Sequence, residues 1–143
     1  MGKAARDSKT LTALTISRLR QSGLRPTRQR VELASLLFRD HDRHVTAESL
    51  HDEVSKAGVK VSLATVYNTL HQFTRAGLLR QVIVDAARGY FDTNTGDHQH
   101  FFLEDEGALI DIPGEDITVS GVPVPPSGMT VDRVDVVVRV KRT

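Results

Sequence analysis

Through the first 77 residues of the chain, hydrophobic residues recur every three or four positions, and this spacing predicts four amphipathic helices. The first is predicted over residues 10–21, after an N-terminal arm at residues 1–9. The other three are predicted to begin after Thr27, Thr46 and Ser62, whose hydroxyl groups can accept a first-turn N–H. The residues expected to face the core are Leu11, Leu14, Leu19, Val31, Ala34, Leu37, Phe38, Leu50, Val54, Leu63, Val66, Leu70 and Phe73.

After Gly77 the pattern changes to short runs rich in Val, Ile and Leu, which predict β-strands. Residues 79–84 and the pair Tyr90-Phe91 flank a glycine-containing loop, so they predict a β-hairpin with Arg88 at its tip. Only residues 59–61 separate the third and fourth helices, and so short a connection predicts a helix-turn-helix. A helix-turn-helix followed by a hairpin is typical of a winged helix.

Beyond residue 93 the composition changes, and the turn at residues 94–96 marks the predicted domain boundary. Strands are predicted at residues 98–103 and 109–112. A third strand is predicted at residues 131–140, where valines at alternate positions would share one face. The prolines between residues 121 and 128 exclude a helix before it.

These elements predict an α+β protein with two domains. Residues 1–93 would form an N-terminal winged helix-turn-helix, and residues 94–143 a small α/β-type dimerisation and metal-sensing domain with a short β-sheet. Roughly fifty residues are too few for a secure hydrophobic core. A second copy is therefore expected to complete the sheet, which predicts a homodimer.

Charge is distributed unevenly along the chain, although the formal net charge is only +1. Residues 1–30 hold eight Lys and Arg against one Asp, whereas residues 92–138 hold ten Asp and Glu against one Arg. A basic end suits a polyanion and an acidic end suits a cation, although both could be ordinary solvated surface. With no signal peptide and no apolar run long enough to span a membrane, a cytoplasmic location is expected.

The sequence gives little support for catalysis. The chain has no cysteine, so disulfides, thiolate metal sites and cysteine nucleophiles are excluded. It has no His-Glu-x-x-His motif, nucleophile elbow or glycine-rich phosphate loop. A metal-activated water with Glu104 or Glu106 as general base is the remaining enzymatic alternative. We predict that the protein is not an enzyme.

The fourth helix has an unusual polar face, formed by Ala64, Tyr67, Asn68 and His71. These side chains are uncharged and offer hydrogen bonds or small contacts, which suits a helix that enters the DNA major groove. The alternative is an ordinary amphipathic helix. The predicted DNA-binding residues are Arg25, Arg28, Ala64, Thr65, Tyr67, Asn68, His71 and Arg88.

A His-x-His pair follows the predicted boundary. His98 and His100 would lie on one face of a strand, about 7 Å apart, which allows them to share an ion. Asp92, Asp97 and Asp111 lie beside this pair in the sequence, and His44 at the start of the third helix is a further candidate. Imidazole and carboxylate ligands without sulfur suit Zn²⁺, Fe²⁺, Mn²⁺ or Co²⁺. The alternative is that these are surface polar groups at strand ends.

Several motifs together resemble the ferric uptake regulator family. They cover residues 23–112 in order and at matching spacings: residues 23–30 (GLRPTRQR), 44–50 (HVTAESL), 62–70 (SLATVYNTL), Phe91-Asp92 and 97–100 (DHQH). Residues 100–102, 109–113, 125–129 and 134–139 look most like the iron response regulator branch of α-proteobacteria. The resemblance implies a dimeric winged-helix transcription regulator that binds double-stranded DNA at an AT-rich inverted repeat and controls iron and haem metabolism genes.

The resemblance also implies residue roles. Tyr67 falls where the family's tyrosine meets thymine methyl groups, and Arg25 falls where a basic residue reaches the minor groove. The regulatory site, which would hold one Zn, Fe or Mn ion per subunit, is matched by His44, Asp92, His98, His100 and Asp111.

The departures from the family pattern concern its other ligands. Leu103 and Glu106 replace one pair of structural-zinc cysteines, so no cysteine-bound zinc is expected. Gln99 replaces a ligand of an additional site, so a second metal is not expected either. The iron response branch is associated with haem, for which His98 and His100 are the candidate ligands here. The alternative within the family is a peroxide sensor, because both carboxylates at the regulatory site are Asp.

Overall fold

The computed structural model describes the backbone of residues 3–143, and side chains from residue 9 onward. The chain divides after Thr95 into two compact units, called here the N-terminal and C-terminal units. The predicted boundary lies two residues earlier. Each unit contains its own three-stranded sheet. No helix among residues 3–143 is both long enough and apolar enough to cross a membrane.

The N-terminal unit combines helices with a small antiparallel sheet, as predicted for a winged helix. In chain order the elements are α1 (Lys3–Gln21), α2 (Arg28–Leu37), β1 (His44–Val45), α3 (Ala47–Lys56), α4 (Leu63–Arg75), β2 (Arg80–Ile83) and β3 (Gly89–Asp92). The sheet has the strand order β1-β3-β2.

The predicted helix caps are all confirmed. The side-chain oxygens of Thr27, Thr46 and Ser62 each accept a hydrogen bond from the amide three residues later. At Thr46 the Ser49 hydroxyl also accepts the Thr46 amide, which makes a reciprocal capping box. These caps fix where α2, α3 and α4 begin and hence the helix-turn-helix geometry.

The predicted start of the first helix and part of its inner face were wrong. The helix begins at Lys3, within the expected arm, whose Met1 and Gly2 lie outside the described residues. Leu19 is fully buried, but Leu11 and Leu14 are 41% and 61% exposed. The reason is length, because α1 has 19 residues and its packing partner α2 only 10, which cannot cover it all.

The remaining core residues largely follow the predicted pattern. The exception on α4 is Leu63, which is 41% exposed because it lies in the first turn, outside the buried stripe. Leu33, which the pattern missed, is buried. The core cluster consists of Leu19, Leu33, Ala34, Leu37, Val45, Ala47, Leu50, Val54, Val66, Leu70, Phe73, Leu79 and Phe91.

The C-terminal unit contains β4 (His98–Leu103), β5 (Ala108–Pro113), a 3₁₀ turn (Gly114–Asp116) and β6 (Val137–Val140). Its three strands form a mixed sheet in the order β5-β4-β6. β4 and β5 form an antiparallel hairpin, and β6 runs parallel to β4. The parallel pairing requires a long return connection, which residues 117–136 supply.

The predicted strand at residues 131–140 is shorter than expected, because only its last four residues are in the ladder. β4 begins at His98, so the residues that precede β6 in the predicted strand have little of β4 to pair with. Instead the Gln99 side chain accepts the Val136 amide at 2.7 Å and donates to the Val134 carbonyl at 3.3 Å. Gln99 therefore fixes the approach to β6 and has its amide group occupied, which does not suit metal binding.

The end of the chain is attached to the turn between β4 and β5. The Glu104 amide donates to the Val140 carbonyl, and the Arg139 guanidinium contacts the Glu104 carboxylate at 3.0 Å. The Arg142 amide donates to Asp105, and its side chain pairs with Glu106. In a chain without cysteine, these bonds hold the C-terminal strand against the hairpin.

Candidate functional site

Three candidate metal ligands of the C-terminal unit lie on neighbouring strands. His98 and His100 share one face of β4, and Asp111 is directly opposite His100 on β5. The Nε2 atoms of both imidazoles are 3.5 Å from Asp111 Oδ1. One ligand atom from each of the three residues lies within 4.8 Å of the others. This spacing allows all three to bind a single ion.

The His98 ring is oriented by the backbone. Its Nδ1 is 2.8 Å from the Gly96 carbonyl oxygen, so Nδ1 carries the proton and donates it there. That tautomer directs the Nε2 lone pair toward Asp111, where a cation would lie between nitrogen and carboxylate. A carbonyl that fixes the second imidazole nitrogen in this way is typical of histidines that bind metals.

A second pair of candidate ligands lies in the N-terminal unit. The backbone of His44 forms part of β1 and pairs directly with Asp92 on β3. Direct pairing places both side chains on one face, with His44 Nε2 3.2 Å from Asp92 Oδ2. Asp92 is fully buried, and its Oδ1 accepts the Asn94 amide at 2.9 Å. One carboxylate oxygen is thus bound by the backbone while the other faces an imidazole.

Arg80 lies beside Asp92 in the same sheet and was not among the residues predicted from the sequence. It pairs with Asp92 from the other side, on β2, so that His44, Asp92 and Arg80 form one row across the sheet. Arg80 is only 8% exposed. A positively charged side chain in the same row is the kind of partner that a buried carboxylate needs. The hairpin register, which places residue 80 opposite residue 92, was the sequence signal that could have identified it.

The donor chemistry of both clusters fits a divalent transition metal. Imidazole nitrogen and carboxylate oxygen, without sulfur, suit zinc, iron and manganese. Haem is not supported, because the His98 and His100 side chains are only 5% and 1% exposed and both face Asp111. Their rings, 4.6 Å apart between centroids, also lie against each other.

The predicted DNA-facing side of α4 is open to solvent. Ala64, Tyr67 and Asn68 are exposed, Tyr67 by 50%, and Thr65 is half-buried. His71 is half-buried one turn after Tyr67. The opposite face of the helix is buried in the core, so the uncharged polar side chains are those available to a partner.

The predicted arginines have different surroundings. Arg25 is exposed, and Arg28 has a 90% exposed side chain in contact with Glu32 at 3.2 Å. The neighbouring Arg30 is instead structural, because its guanidinium donates to Gln72 on α4 at 3.0 and 3.2 Å. Arg25 and Arg28 are thus the ones exposed for a phosphate contact.

At the tip of the β2–β3 hairpin, Arg88 is bound to Asp85. The Arg88 Nε and Nη2 atoms are 2.8 and 2.5 Å from Asp85 Oδ2, and Asp85 Oδ1 accepts the amides of Ala87 and Arg88. The hydrogen bonds from the Arg88 side chain, and then that from the Ala87 amide, hold the Asp85 pKa below its usual value. The carboxylate therefore stays ionised near neutral pH and offsets the charge of Arg88.

A groove of about 430 Å³ separates this hairpin from α4. Tyr67 lines one side of the groove, and the loop that contains Asp85 and Arg88 lines the other. The exposed tyrosine and the hairpin tip thus lie on the same side of the N-terminal unit, where a duplex could contact both.

Comparison with known proteins identifies a family. Residues 21–136 match the ferric uptake regulator family. The chain is 35% identical over 102 residues to the ferric uptake regulation protein of Pseudomonas aeruginosa, covering 71% of this chain and 76% of that protein. It is 33% identical over 97 residues to the peroxide-responsive repressor PerR of Staphylococcus aureus, covering 68% of this chain and 65% of the repressor.

Solved structures agree with this comparison. The manganese-containing ferric uptake regulator of Pseudomonas aeruginosa has a TM-score of 0.68 at 30% identity, covering 90% of this chain and 97% of that one. The Vibrio cholerae ferric uptake regulator has a TM-score of 0.69 at 22% identity, covering 89% and 98%. The latter shows the fold alone, and together they confirm the predicted α+β class with a winged helix.

Proposed function

Since this chain belongs to the ferric uptake regulator family of metal-responsive, dimeric DNA-binding regulators, we propose that it controls iron and haem metabolism genes from the cytoplasm. Its operator would be an AT-rich inverted repeat. Within the family we assign it to the iron response regulators, on the motifs in residues 100–139 described above. The observation that carries the proposal is the exposed, uncharged face of α4 around Tyr67, on the same side of the N-terminal unit as the hairpin tip with Arg88.

DNA contacts are assigned by type. Arg25, Arg28 and Arg88 would contact the sugar-phosphate backbone and set the position of the protein. Ala64, Thr65, Tyr67, Asn68 and His71 lie on the helix that would enter the major groove. Tyr67 would contact thymine methyl groups, which are a feature of the major groove. A tyrosine that contacts thymine methyl groups would favour AT-rich operators.

We propose that the two ligand clusters bind one ion together. His44 and Asp92 would supply ligands from the N-terminal unit, and His98, His100 and Asp111 from the C-terminal unit. An ion held by both would favour one angle between the units over others. In a dimer that angle sets the distance between two α4 helices, which must match DNA half-sites about 34–36 Å apart. The metal can shift this equilibrium only by its preference for that angle.

Peroxide sensing is the second candidate function. It is favoured by Asp at both carboxylate positions, Asp92 and Asp111, and by the 33% identity to a peroxide-responsive repressor. In that case Fe²⁺ and hydrogen peroxide together would oxidise His98, His100 or His44. Mass spectrometry of the iron-loaded protein after peroxide treatment distinguishes the two, because a sensor gains one oxygen on a ligand histidine and an iron-response regulator does not.

Replacing Tyr67 with alanine tests the proposed base readout. We expect Tyr67→Ala to weaken operator binding by about 1–3 kcal/mol, because one base-specific contact is lost. Binding to random DNA of equal length should change little. Fluorescence anisotropy with both duplexes at one salt concentration measures the difference. Equal losses on operator and random DNA would show that Tyr67 does not read bases.

Asp85→Asn tests the role of the hairpin tip. The substitution removes the negative charge beside Arg88 while keeping an oxygen for the Ala87 amide. We expect tighter binding to operator and random DNA alike, with a salt dependence steeper by up to about one in log–log slope. The matched control is Asp52→Asn, which makes the same charge change on α3, where Asp52 pairs with Lys56. An equal gain in the control would mean that only net charge matters.

A further inference from the structure

Tyr67, the exposed tyrosine of α4, belongs to a stack of three aromatic rings. Its ring lies edge-on to the His71 ring, with centroids 4.5 Å apart and an interplanar angle of 65°. His71 in turn lies edge-on to Phe91, at 5.3 Å and 85°. Both distances and both angles are those of favourable aromatic pairs. The stack runs from the exposed surface of α4 to the sheet.

The inner end of this stack is buried and its outer end is exposed. Phe91 is 2% exposed, lies in the hydrophobic core and is held in β3 opposite Val45. Tyr67 is 50% exposed on the open face of α4. His71 connects the two, since residues four apart on a helix lie on the same side.

His71 makes these two ring contacts and, among residues 3–143, has no hydrogen-bond partner for its ring nitrogens. Two other histidines of the unit differ: the His51 ring bonds the Val61 carbonyl, and His44 contacts Asp92. The imidazole of His71 therefore interacts with the rest of the unit as a flat ring. That is the behaviour of a side chain that packs.

We propose that His71 is a positioning residue for Tyr67, holding the phenol ring in one orientation on the DNA-facing side of α4. The inference rests on the proposed role of Tyr67 in base readout. An exposed tyrosine loses rotamer freedom when it meets a base, and that loss opposes binding. A ring already held by His71 and the buried Phe91 has lost this freedom before DNA arrives, so operator binding is tighter.

Two substitutions separate ring packing from hydrogen bonding. His71→Ala removes the ring, whereas His71→Phe keeps a ring and removes both nitrogens. We expect His71→Ala to weaken operator binding about two- to tenfold, the range that corresponds to one aromatic pair. His71→Phe should stay within about twofold of the wild type. Equal losses in the two variants would overturn the proposal, because they would mean that the nitrogens contact DNA.

The double variant Tyr67→Ala/His71→Ala shows whether His71 acts through Tyr67. If it does, adding His71→Ala to Tyr67→Ala does not weaken operator binding any further. Full additivity, with Tyr67→Ala alone still impairing operator binding, overturns the positioning role and leaves the proposed function intact. If Tyr67→Ala alone has no operator-specific effect, the proposed readout fails and this inference fails with it.

Tyrosine fluorescence gives a readout that a general loss of stability would not produce. The chain has two tyrosines and no tryptophan, so Tyr90→Phe leaves Tyr67 as the sole emitter. In that background, acrylamide quenching of Tyr67 should increase with His71→Ala and remain unchanged with His71→Phe, at a temperature where both variants are folded by circular dichroism. Unchanged quenching in His71→Ala would overturn the proposal.

Discussion

Simultaneous replacement of His98 and His100 by alanine is expected to abolish metal binding and with it any metal-dependent change in operator affinity. The two imidazoles supply two of the three donors in the C-terminal unit and lie 3.5 Å from the third, Asp111. The C-terminal unit would keep only the Asp111 carboxylate, and of the proposed ligands only His44 would still offer an imidazole, which is too few nitrogen donors to retain a transition metal. Metal content of the purified protein and operator binding with and without added metal measure both effects.

Controls for this variant separate loss of ligands from loss of fold. His41→Ala removes an exposed imidazole that belongs to neither ligand cluster, so metal content should be unchanged. Random-DNA binding of the double variant should also persist, since the N-terminal unit is untouched. Full metal content in His98→Ala/His100→Ala would contradict the assignment of this site.

His44→Ala examines the proposed sharing of one ion by both units. We expect this variant to keep part of its metal through His98, His100 and Asp111 but to lose the metal-dependent change in operator affinity. The reason is that an ion held by one unit alone has no preference for any angle between the units. Isothermal titration with metal, paired with operator titrations, measures the two properties. A complete metal response in His44→Ala would show that the ion acts within the C-terminal unit.

Val138→Asp is expected to convert the dimer to a monomer. Ile110, Phe101 and Val138 are paired directly across the three strands of the C-terminal sheet, so they form one apolar row on a single face. Phe101 and Ile110 are 38% and 50% exposed, and a second copy would cover them. A buried, unpaired carboxylate in that interface costs far more than the apolar contact provided.

Sedimentation velocity at micromolar concentration measures this outcome directly. Operator affinity should fall when dimerisation is lost, because a monomer contacts one half-site only. The matched control is Val124→Asp, at a valine that is 92% exposed in the connection before β6. It should remain dimeric. A dimeric Val138→Asp, or a monomeric wild type, would contradict dimerisation through this face.

Much of the N-terminal unit was determined by local sequence. Each of Thr27, Thr46 and Ser62 marked a helix start, because a cap is a bond between residues three apart. The hairpin after Gly77 followed equally from short-range pattern. The five candidate metal ligands were also named from the sequence, since imidazole and carboxylate at these positions follow the family motifs. In each case the interaction joins residues that are close together in the sequence, or the residues are part of the family motif itself.

What the tertiary structure alone decided were pairings between distant parts of the chain. The two-residue strand at His44 exists only because Asp92 lies opposite it, and the row extends to the buried Arg80. The shortened β6 depends on where β4 begins and on Gln99, which holds the preceding residues by its side chain. Likewise the exposed Leu11 and Leu14 reflect the length of a neighbouring helix. Periodicity reports which face of an element is apolar, but only the packed neighbours determine how far that face is covered.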